Sequence, residues 1–418
     1  MVMDFKNILV RYGEIGTKSK TTLKRFENIL KNNIEYSFKK KGISCNVDIL
    51  HRRLLITFDN AVSKKEIDIL KKIPGIVSFS PVLICDKDID SIKNTSFKLF
   101  IDCLKKYSVS SFAVKTQRVK KDFSLTSPEI NRFVGSYIIS KIDDINDINN
   151  DNKNNNINNK NNKNVDNNIH NKNNKISNSS NKIKVDLKNP DLTIGIEIID
   201  KGYIYTEKYE GVGGLPVGTQ GKVIVLLSDG IDSPVSAYLM IKRGCSCVFL
   251  HLKTSDKGYN KVKKIYDILN EYDPYSQLIT IEFKETLRDI VKKLKSIKKE
   301  RYTCLICKRS MLKIGQNYCK KYNCYGITTG DNLGQVASQT LKNIMVISYG
   351  IDYPIFRPLI GLDKNEIIKI SKSIGTYDIS TSEEIKCFAT PKYPITNGDL
   401  EEVLKIEQEI NINIDNGD

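Results

Sequence analysis

Three features of the sequence predict an α/β protein in three parts. Residues 7–82 run through strand and helix patterns in the order βαββαβ. A second small α/β pattern extends from about 91 to 209. From Gly211 onward strands alternate with amphipathic helices, which implies βαβ units and an open parallel sheet with helices on both faces. The division expected is an N-terminal α+β domain over 1–60, an α/β domain over 61–210 with an Asn-rich insert at 142–182, and a third domain over 211–418.

The first part reads as a strand at 7–10, a helix at 20–41, strands at 45–50 and 53–58, a helix at 64–71 and a strand at 76–82. That order is the ferredoxin-like pattern. Residues 129–135 have helical periodicity, and 184–187 and 193–198 alternate as strands. Between them, 19 of the 41 residues from 142 to 182 are Asn. Such a segment buries too little apolar surface to offset its chain entropy, so a disordered loop inserted within one domain is expected. Glycines at 211, 213, 214, 218 and 221 then mark an irregular junction. Beyond it, strands are expected at 222–227, 246–252, 278–283 and 325–328, with helices at 234–242, 261–269, 286–295 and 303–321.

The charge is unevenly spread. The chain of 418 residues carries 66 Lys and Arg against 49 Asp and Glu, a net +17. Residues 1–141 hold 27 basic and 14 acidic side chains, so +13 of the excess lies in the first third. A concentrated positive field suits a polyanion such as a nucleic-acid backbone, although a Lys-rich solvated surface would give the same count. Mean hydropathy is −0.34, and no stretch approaches the roughly 20 apolar residues that cross a bilayer. The N-terminus shows no basic leader followed by an apolar core, so membrane and secreted classes are set aside and a cytoplasmic location is expected. In a reducing compartment the ten scattered cysteines are free thiols, metal ligands or catalysts rather than a disulfide frame.

The strand at 223–227 runs into Ser228-Asp229-Gly230-Ile231-Asp232-Ser233, and a helix follows at once. A turn between a strand and a helix N-terminus offers free N–H groups and the positive end of the helix dipole, which suits a phosphate. Gly230 lets the backbone approach closely, Ser228 and Ser233 add hydroxyls, and Asp232 orders the loop or holds Mg²⁺. The segment is not a Walker A loop, because Val223 stands where a Ser or Thr would follow Lys222. The plain alternative is an ordinary βα turn with a helix cap. Further on, Gly330 opens a run of amides and hydroxyls through Gln339 and Thr340 after the strand at 325–328, which suits a nucleotide or a capped helix start.

Cys304 and Cys307 stand three apart at the start of a helix, a spacing used for metals, clusters and redox pairs and also by core cysteines. Cys387 lies on a loop-like stretch, and the remaining seven cysteines fall in strand or helix patterns and read as core.

The phosphate loop resembles the PP-loop of ATP pyrophosphatases, usually written SGGxDS, with Asp229 in place of the second residue, Gly. Taken with RYGEIGTKSK, FAVKTQRVKKDF, GGLPVGTQGK, CLICKRSM, TGDNLGQVASQTLKN, FRPLIGLDKNEI and KCFATPKYPIT, it resembles the tRNA 4-thiouridine synthetase (tRNA sulfurtransferase) family over nearly the whole chain. The resemblance implies a ferredoxin-like domain and a THUMP domain that bind tRNA, followed by a PP-loop domain. In that last domain ATP adenylates O4 of uridine 8, pyrophosphate leaves, and a sulfur nucleophile displaces AMP. It implies ATP at Leu226, Leu227, Ser228, Gly230, Asp232, Ser233, His251, Leu252, Lys308, Gly330 and Gln339, with His251 and Leu252 near the adenine. Lys308 and Arg309 would also answer the need for cations against the phosphates. Contacts to tRNA are expected from Lys115, Arg118, Lys120 and Lys121.

Only 31 residues follow Cys387, too few for the rhodanese domain that carries sulfur in some members. The resemblance implies instead that Cys304, Cys307 and Cys387 ligate an iron–sulfur cluster with one iron open to sulfide. The competing expectation is a persulfide on Cys387, resolved by Cys304 or Cys307. Cys387 and Asp232 are the catalytic candidates, with ATP, Mg²⁺ and the cluster as cofactors. The partners expected are tRNA, a sulfur donor (sulfide or a cysteine desulfurase), a sulfur-carrier protein serving thiamine (thiazole) synthesis, and a second copy in a homodimer. Two rival readings stand: another PP-loop ligase acting on a small molecule, and a tRNA-binding protein whose nucleotide site has decayed, for which Asp229 is the hint.

Overall fold

The computed structural model describes residues 4–158, 183–383 and 385–412. They form two compact units, one of 1–12, 41–70 and 77–210, the other of 13–40, 71–76 and 211–418. The first unit contains strands β1 (Asn7–Arg11), β2 (Cys45–Leu50), β3 (Arg53–Phe58), β4 (Ser78–Cys85), β5 (Ser111–Arg118), β6 (Lys184–Val185), β7 (Leu192–Ile198), β8 (Gly202–Tyr205) and β9 (Tyr209–Glu210). The second contains β10 (Lys222–Leu226), β11 (Ser246–Lys253), β12 (Gln277–Glu282), β13 (Ile327–Thr328) and β14 (Ile355–Phe356). The helices are α1 (Lys20–Lys40), α2 (Lys64–Leu70), α3 (Ile89–Lys106), α4 (Ser127–Asn158), α5 (Asp232–Lys242), α6 (Asp256–Leu269), α7 (Lys284–Ser296), α8 (Thr303–Tyr322), α9 (Leu341–Ser348), α10 (Lys364–Ile374), α11 (Tyr377–Thr381) and α12 (Leu400–Ile410). None of the described helices is long and apolar enough to cross a membrane.

In the first unit the strands lie in the order β2-β3-β1-β4-β8-β7-β5-β6, with β9 also on β4. Strands β2, β3, β1 and β4 are antiparallel neighbours, the expected ferredoxin-like order. Strand β4 joins this half to the next. Strand β4 pairs with β1 through Ser78–Val82 and with β8 through Leu83–Cys85, so one sheet runs through both halves. By compactness, most of the ferredoxin-like half and the α/β half after it fall in one unit. One face packs Ile92, Leu99 and Phe100 of α3 and Ile130, Val134 and Ile138 of α4 on Phe112, Ile194, Ile196 and Ile198. On β7, Glu197 is 1% exposed and is balanced by Arg11 and by Arg53, whose Nε lies 2.8 Å away. The carboxylate bears its desolvation cost because two guanidiniums share it.

The Asn-rich insert begins differently from expectation. Helix α4 continues to Asn158, carried inward by buried Ile138 and Ile142, so its start is helix rather than loop. Residues 159–182 lie outside the described ones.

In the second unit five strands lie in the order β12-β11-β10-β13-β14, all parallel. Side chains alternate between faces with period two. Ile224, Leu226, Val248, Leu250 and Leu252 meet α7, α8 and α12, while Val223, Val225, Cys247 and Phe249 meet α5, α6 and α10. Helix α1, expected within an N-terminal domain, belongs to this unit: Asn33 Nδ2 donates to Val217 O at 3.1 Å, and Tyr36 stacks on Tyr275.

Candidate functional site

The chain runs β10, β11, β12 to one side of the second sheet and then returns to place β13 on the other side of β10. In open α/β sheets that switch point opens a crevice beyond the carboxyl ends of the strands. Two segments meet there. After β10 comes the loop Ser228–Ser233, closed on itself by Ser233, whose Oγ accepts from Ser228 N at 2.9 Å and stands 3.0 Å from Ser228 Oγ. Helix α5 follows with no side chain capping its first turn, so its N–H groups face the loop. After β13 comes Gly330, where a Cβ would stand 2.7 Å from Ser233 N and 3.0 Å from Asp232 C. Only glycine lets the two segments touch.

Asp331, 6% exposed, organises the cations of this crevice. Its Oδ1 takes Lys308 Nζ from α8 at 2.7 Å, and its Oδ2 takes Arg357 Nε at 3.2 Å and Thr329 Oγ1 at 2.8 Å. Burial pushes the carboxyl up, but Lys308, Thr329 and Arg357 together outweigh it and bring its pKa down to about 2. Gln339 Nε2 reaches the same carboxylate at 3.3 Å, while its buried Oε1 has no hydrogen-bond partner among the described residues. Lys364 Nζ, at the start of α10, lies 2.6 Å from Asp232 Oδ1 at the exit of the loop. A cavity of about 230 Å³ is lined by Ser228, Gly230, Asp232, Ser233, Lys308 and Gly330, with Gln339 and Asp331 at its wall.

An adjoining cavity of about 210 Å³ shares Leu226, Ser228 and Met311 with the first and adds Leu227, His251, Leu252 and Cys387. His251 Nδ1 donates to Leu227 O at 2.9 Å, which leaves Nε2 as an acceptor, and among the described residues it finds no partner. Burial depresses the pKa of the ring, so the acceptor form is the resting one. Cys387 is exposed on the irregular stretch 385–390.

All the expected nucleotide residues therefore converge on two neighbouring cavities. Arg309 does not join them. It is 3% exposed and spent on structure, its Nε and Nη2 each 2.9 Å from Glu407 and its Nη1 on Val346 O and Tyr349 O. Asp331, Arg357 and Lys364 are the residues sequence reading missed. Asp331 and Lys364 sit inside the quoted motifs TGDNLGQ and FRPLIGLDKNEI, but their pairings span 23 and 132 residues.

Cys304 and Cys307 line neither cavity. Burial pushes the Cys307 thiol up to about 12, with the charges of Cys387 and Cys304 adding to it, and the Cys304 thiol is raised by burial and by Cys387. The three thiols share a neighbourhood, yet among the described residues no three His, Cys, Asp or Glu side chains stand in metal-ligating geometry. Lys115, Arg118, Lys120 and Lys121 belong to the first unit, with Lys115 and Lys121 exposed and Arg118 Nη1 donating to Phe123 O at 3.1 Å.

Comparison with known proteins agrees with this architecture along the whole chain. Family profiles described as Thiamine biosynthesis protein (ThiI), ThiI ferredoxin-like domain and THUMP domain match residues 218–412, 7–80 and 86–165. A probable tRNA sulfurtransferase of Methanocaldococcus jannaschii is 48% identical over 410 residues, 97% of either chain. One of Thermococcus kodakarensis is 38% identical over 408 residues, 96% of either chain. Among solved structures, a 4-thiouridine synthetase–RNA complex with bound ATP matches with a TM-score of 0.78 and 30% identity, covering 98% of this chain and 95% of that one. A protein of Pyrococcus horikoshii matches with a TM-score of 0.64 and 26% identity, over 89% of this chain and all of its own. With near-complete coverage in both directions, the chain belongs to the tRNA sulfurtransferase family.

Proposed function

We propose that this protein uses ATP to convert uridine 8 of tRNA to 4-thiouridine in the cytoplasm. The observation that carries the reading is the pair of adjoining cavities, one with a phosphate loop and Lys308, the other with a thiol at its rim. The triphosphate lies along Ser228–Ser233, held by loop N–H groups and by Lys308, which Asp331 keeps aimed at it. His251 Nε2 is an acceptor suited to the 6-amino group of adenine, between Leu226, Leu227 and Leu252. Uridine O4 attacks the α-phosphorus, the bond to the β-phosphate oxygen breaks, and pyrophosphate leaves. Asp232 would hold the Mg²⁺ that neutralises the departing charge, one carboxylate beside phosphate oxygens being the usual demand of that ion. Lys364, now on Asp232, is then free to face the pyrophosphate.

Sulfur reaches Cys387 as a persulfide when its thiolate attacks the outer sulfur of a desulfurase's cysteine persulfide and the desulfurase thiolate leaves. Its terminal sulfur attacks C4 and AMP leaves. A thiolate of Cys304 or Cys307 then attacks Cys387 Sγ, releasing 4-thiouridine and leaving a disulfide that a dithiol reductant resets. An iron–sulfur cluster on Cys304, Cys307 and Cys387 is the alternative carrier; the three thiols do not stand as a ligand set, so no step is built on it. Iron and sulfide retained by anaerobically purified protein and lost in Cys387→Ala would select it. Lys115, Arg118, Lys120 and Lys121 contact the tRNA backbone, and the protein works as a homodimer. The name of the matching profile points to a second sulfur acceptor, a carrier protein on the route to thiamine.

The test is an in vitro reaction with tRNA, ATP and a cysteine desulfurase supplied with cysteine as the persulfide donor. AMP and pyrophosphate should appear in step with 4-thiouridine; tRNA binding without pyrophosphate would favour the decayed-site reading and make Asp229 the first suspect.

A further inference from the structure

Position 229 presents a problem of charge. A carboxylate follows the first serine of the phosphate loop, on the wall of the cavity that also holds His251 and Cys387. An unneutralised carboxylate there repels a polyphosphate. Helix α6 supplies an answer. Lys261 is 9% exposed, and its Nζ stands 4.0 Å from Asp229 Oδ2. The same ammonium donates to Ser380 O at 2.8 Å and to Glu383 O at 2.9 Å, carbonyls at and just beyond the end of α11. A cation at a helix C-terminus meets unsatisfied carbonyls. A second tie runs beside it, because Ser380 Oγ donates to Gly230 O at 3.2 Å. The chain then passes to Ile385, Lys386, Cys387 and Phe388, all on the wall of that cavity.

One buried ammonium therefore touches the phosphate loop on one side and the base of the Cys387 stretch on the other. We infer that Lys261 is a positioning residue with two tasks: it neutralises Asp229 so that the loop accepts polyphosphate, and it fastens the stretch carrying Cys387 to that loop. The inference deepens the proposed sulfur transfer and rests on it for the second task's consequence. Sequence reading treated Asp229 as a defect; with Lys261 beside it, the position becomes half of a pair.

The two tasks separate experimentally. In Lys261→Met the KM for ATP should rise at least about tenfold, because a carboxylate near the phosphates loses its counter-charge. Cys387 should also react faster with iodoacetamide, read by mass spectrometry of the folded protein, since its stretch is released. Adding Asp229→Gly removes the carboxylate, so the double variant should return to within about threefold of the KM of Asp229→Gly alone. Its Cys387 should stay as reactive as in Lys261→Met, and its thiolation should stay slow. If Lys261→Met does not fold, Lys261→Gln takes its place, retaining amide donors for the carbonyls without the charge: KM still rises and Cys387 stays protected. Unchanged KM and unchanged Cys387 labelling in the folded variant would overturn the inference. So would an equal rise in KM with and without Asp229. KM is read from pyrophosphate release and labelling needs no turnover, so a wild-type protein that releases pyrophosphate from ATP but makes no 4-thiouridine would refute the proposed function and leave this pairing intact.

Discussion

Lys308 Nζ lies 2.7 Å from Asp331 Oδ1, and the carboxylate that holds it is almost wholly buried. A flexible ammonium is thereby fixed on the wall of the phosphate cavity before any ligand arrives. Replacing Lys308 with Ala should lower kcat/KM for pyrophosphate release about 100-fold or more, the scale of losing one aligned electrostatic group. Affinity for tRNA should hold. Steady-state kinetics beside a filter-binding titration checks both.

Asp331 makes a pH signature. Its folded pKa of about 2 lies below the ordinary 3.8, so the stability it contributes is present above that ordinary value and is lost as pH falls from about 4 to about 2. The contribution is on the order of 2 kcal/mol. Urea midpoints measured across that window should fall for the wild type relative to Asp331→Asn. Parallel curves would show that the carboxylate is not held as described.

Gly330 is a packing test. A methyl there would meet the backbone of Asp232 and Ser233 rather than a movable side chain. Gly330→Ala should cost about 1–3 kcal/mol by urea unfolding, as overpacked sites do, and weaken ATP binding by displacing the start of α5.

Much of this was legible beforehand. Near-continuous apolar runs at 223–227 and 247–252 marked central parallel strands, and Ser228–Ser233 marked the loop, because both signals are local. What escaped reading depends on partners far along the chain. Nothing near residue 80 says that β4 will pair with β1 and β8 in turn. Arg309 and Lys308 are adjacent, but only the fold tells that one faces Asp331 and the other Glu407. The helical start of the insert was signalled by isoleucines at 138, 142 and 145 and masked by the asparagines that follow from 146.

The thiols should separate by reactivity. With its thiol pushed up to about 12, Cys307 should label with iodoacetamide at pH 8 about 1,000-fold more slowly than an unperturbed cysteine. Exposed Cys387 should label first. Peptide mapping over time decides the order, and fast labelling of Cys307 in folded protein would contradict its burial.

Lys115 and Lys121 should act through charge. In the double Ala variant, log affinity for tRNA against log salt should lose up to about one unit of slope for each phosphate contact removed, with KM for ATP unchanged. An unaltered slope would place the RNA elsewhere.

The account stands most directly on one comparison: single-turnover reaction of wild type and Cys387→Ala with tRNA, ATP and a sulfur donor, following AMP, pyrophosphate and 4-thiouridine together. The variant should release pyrophosphate at the wild-type rate and form no 4-thiouridine, because adenylation is the work of the phosphate loop and Lys308 and does not use the Cys387 thiol. Thiolation by Cys387→Ala at the wild-type rate would contradict it.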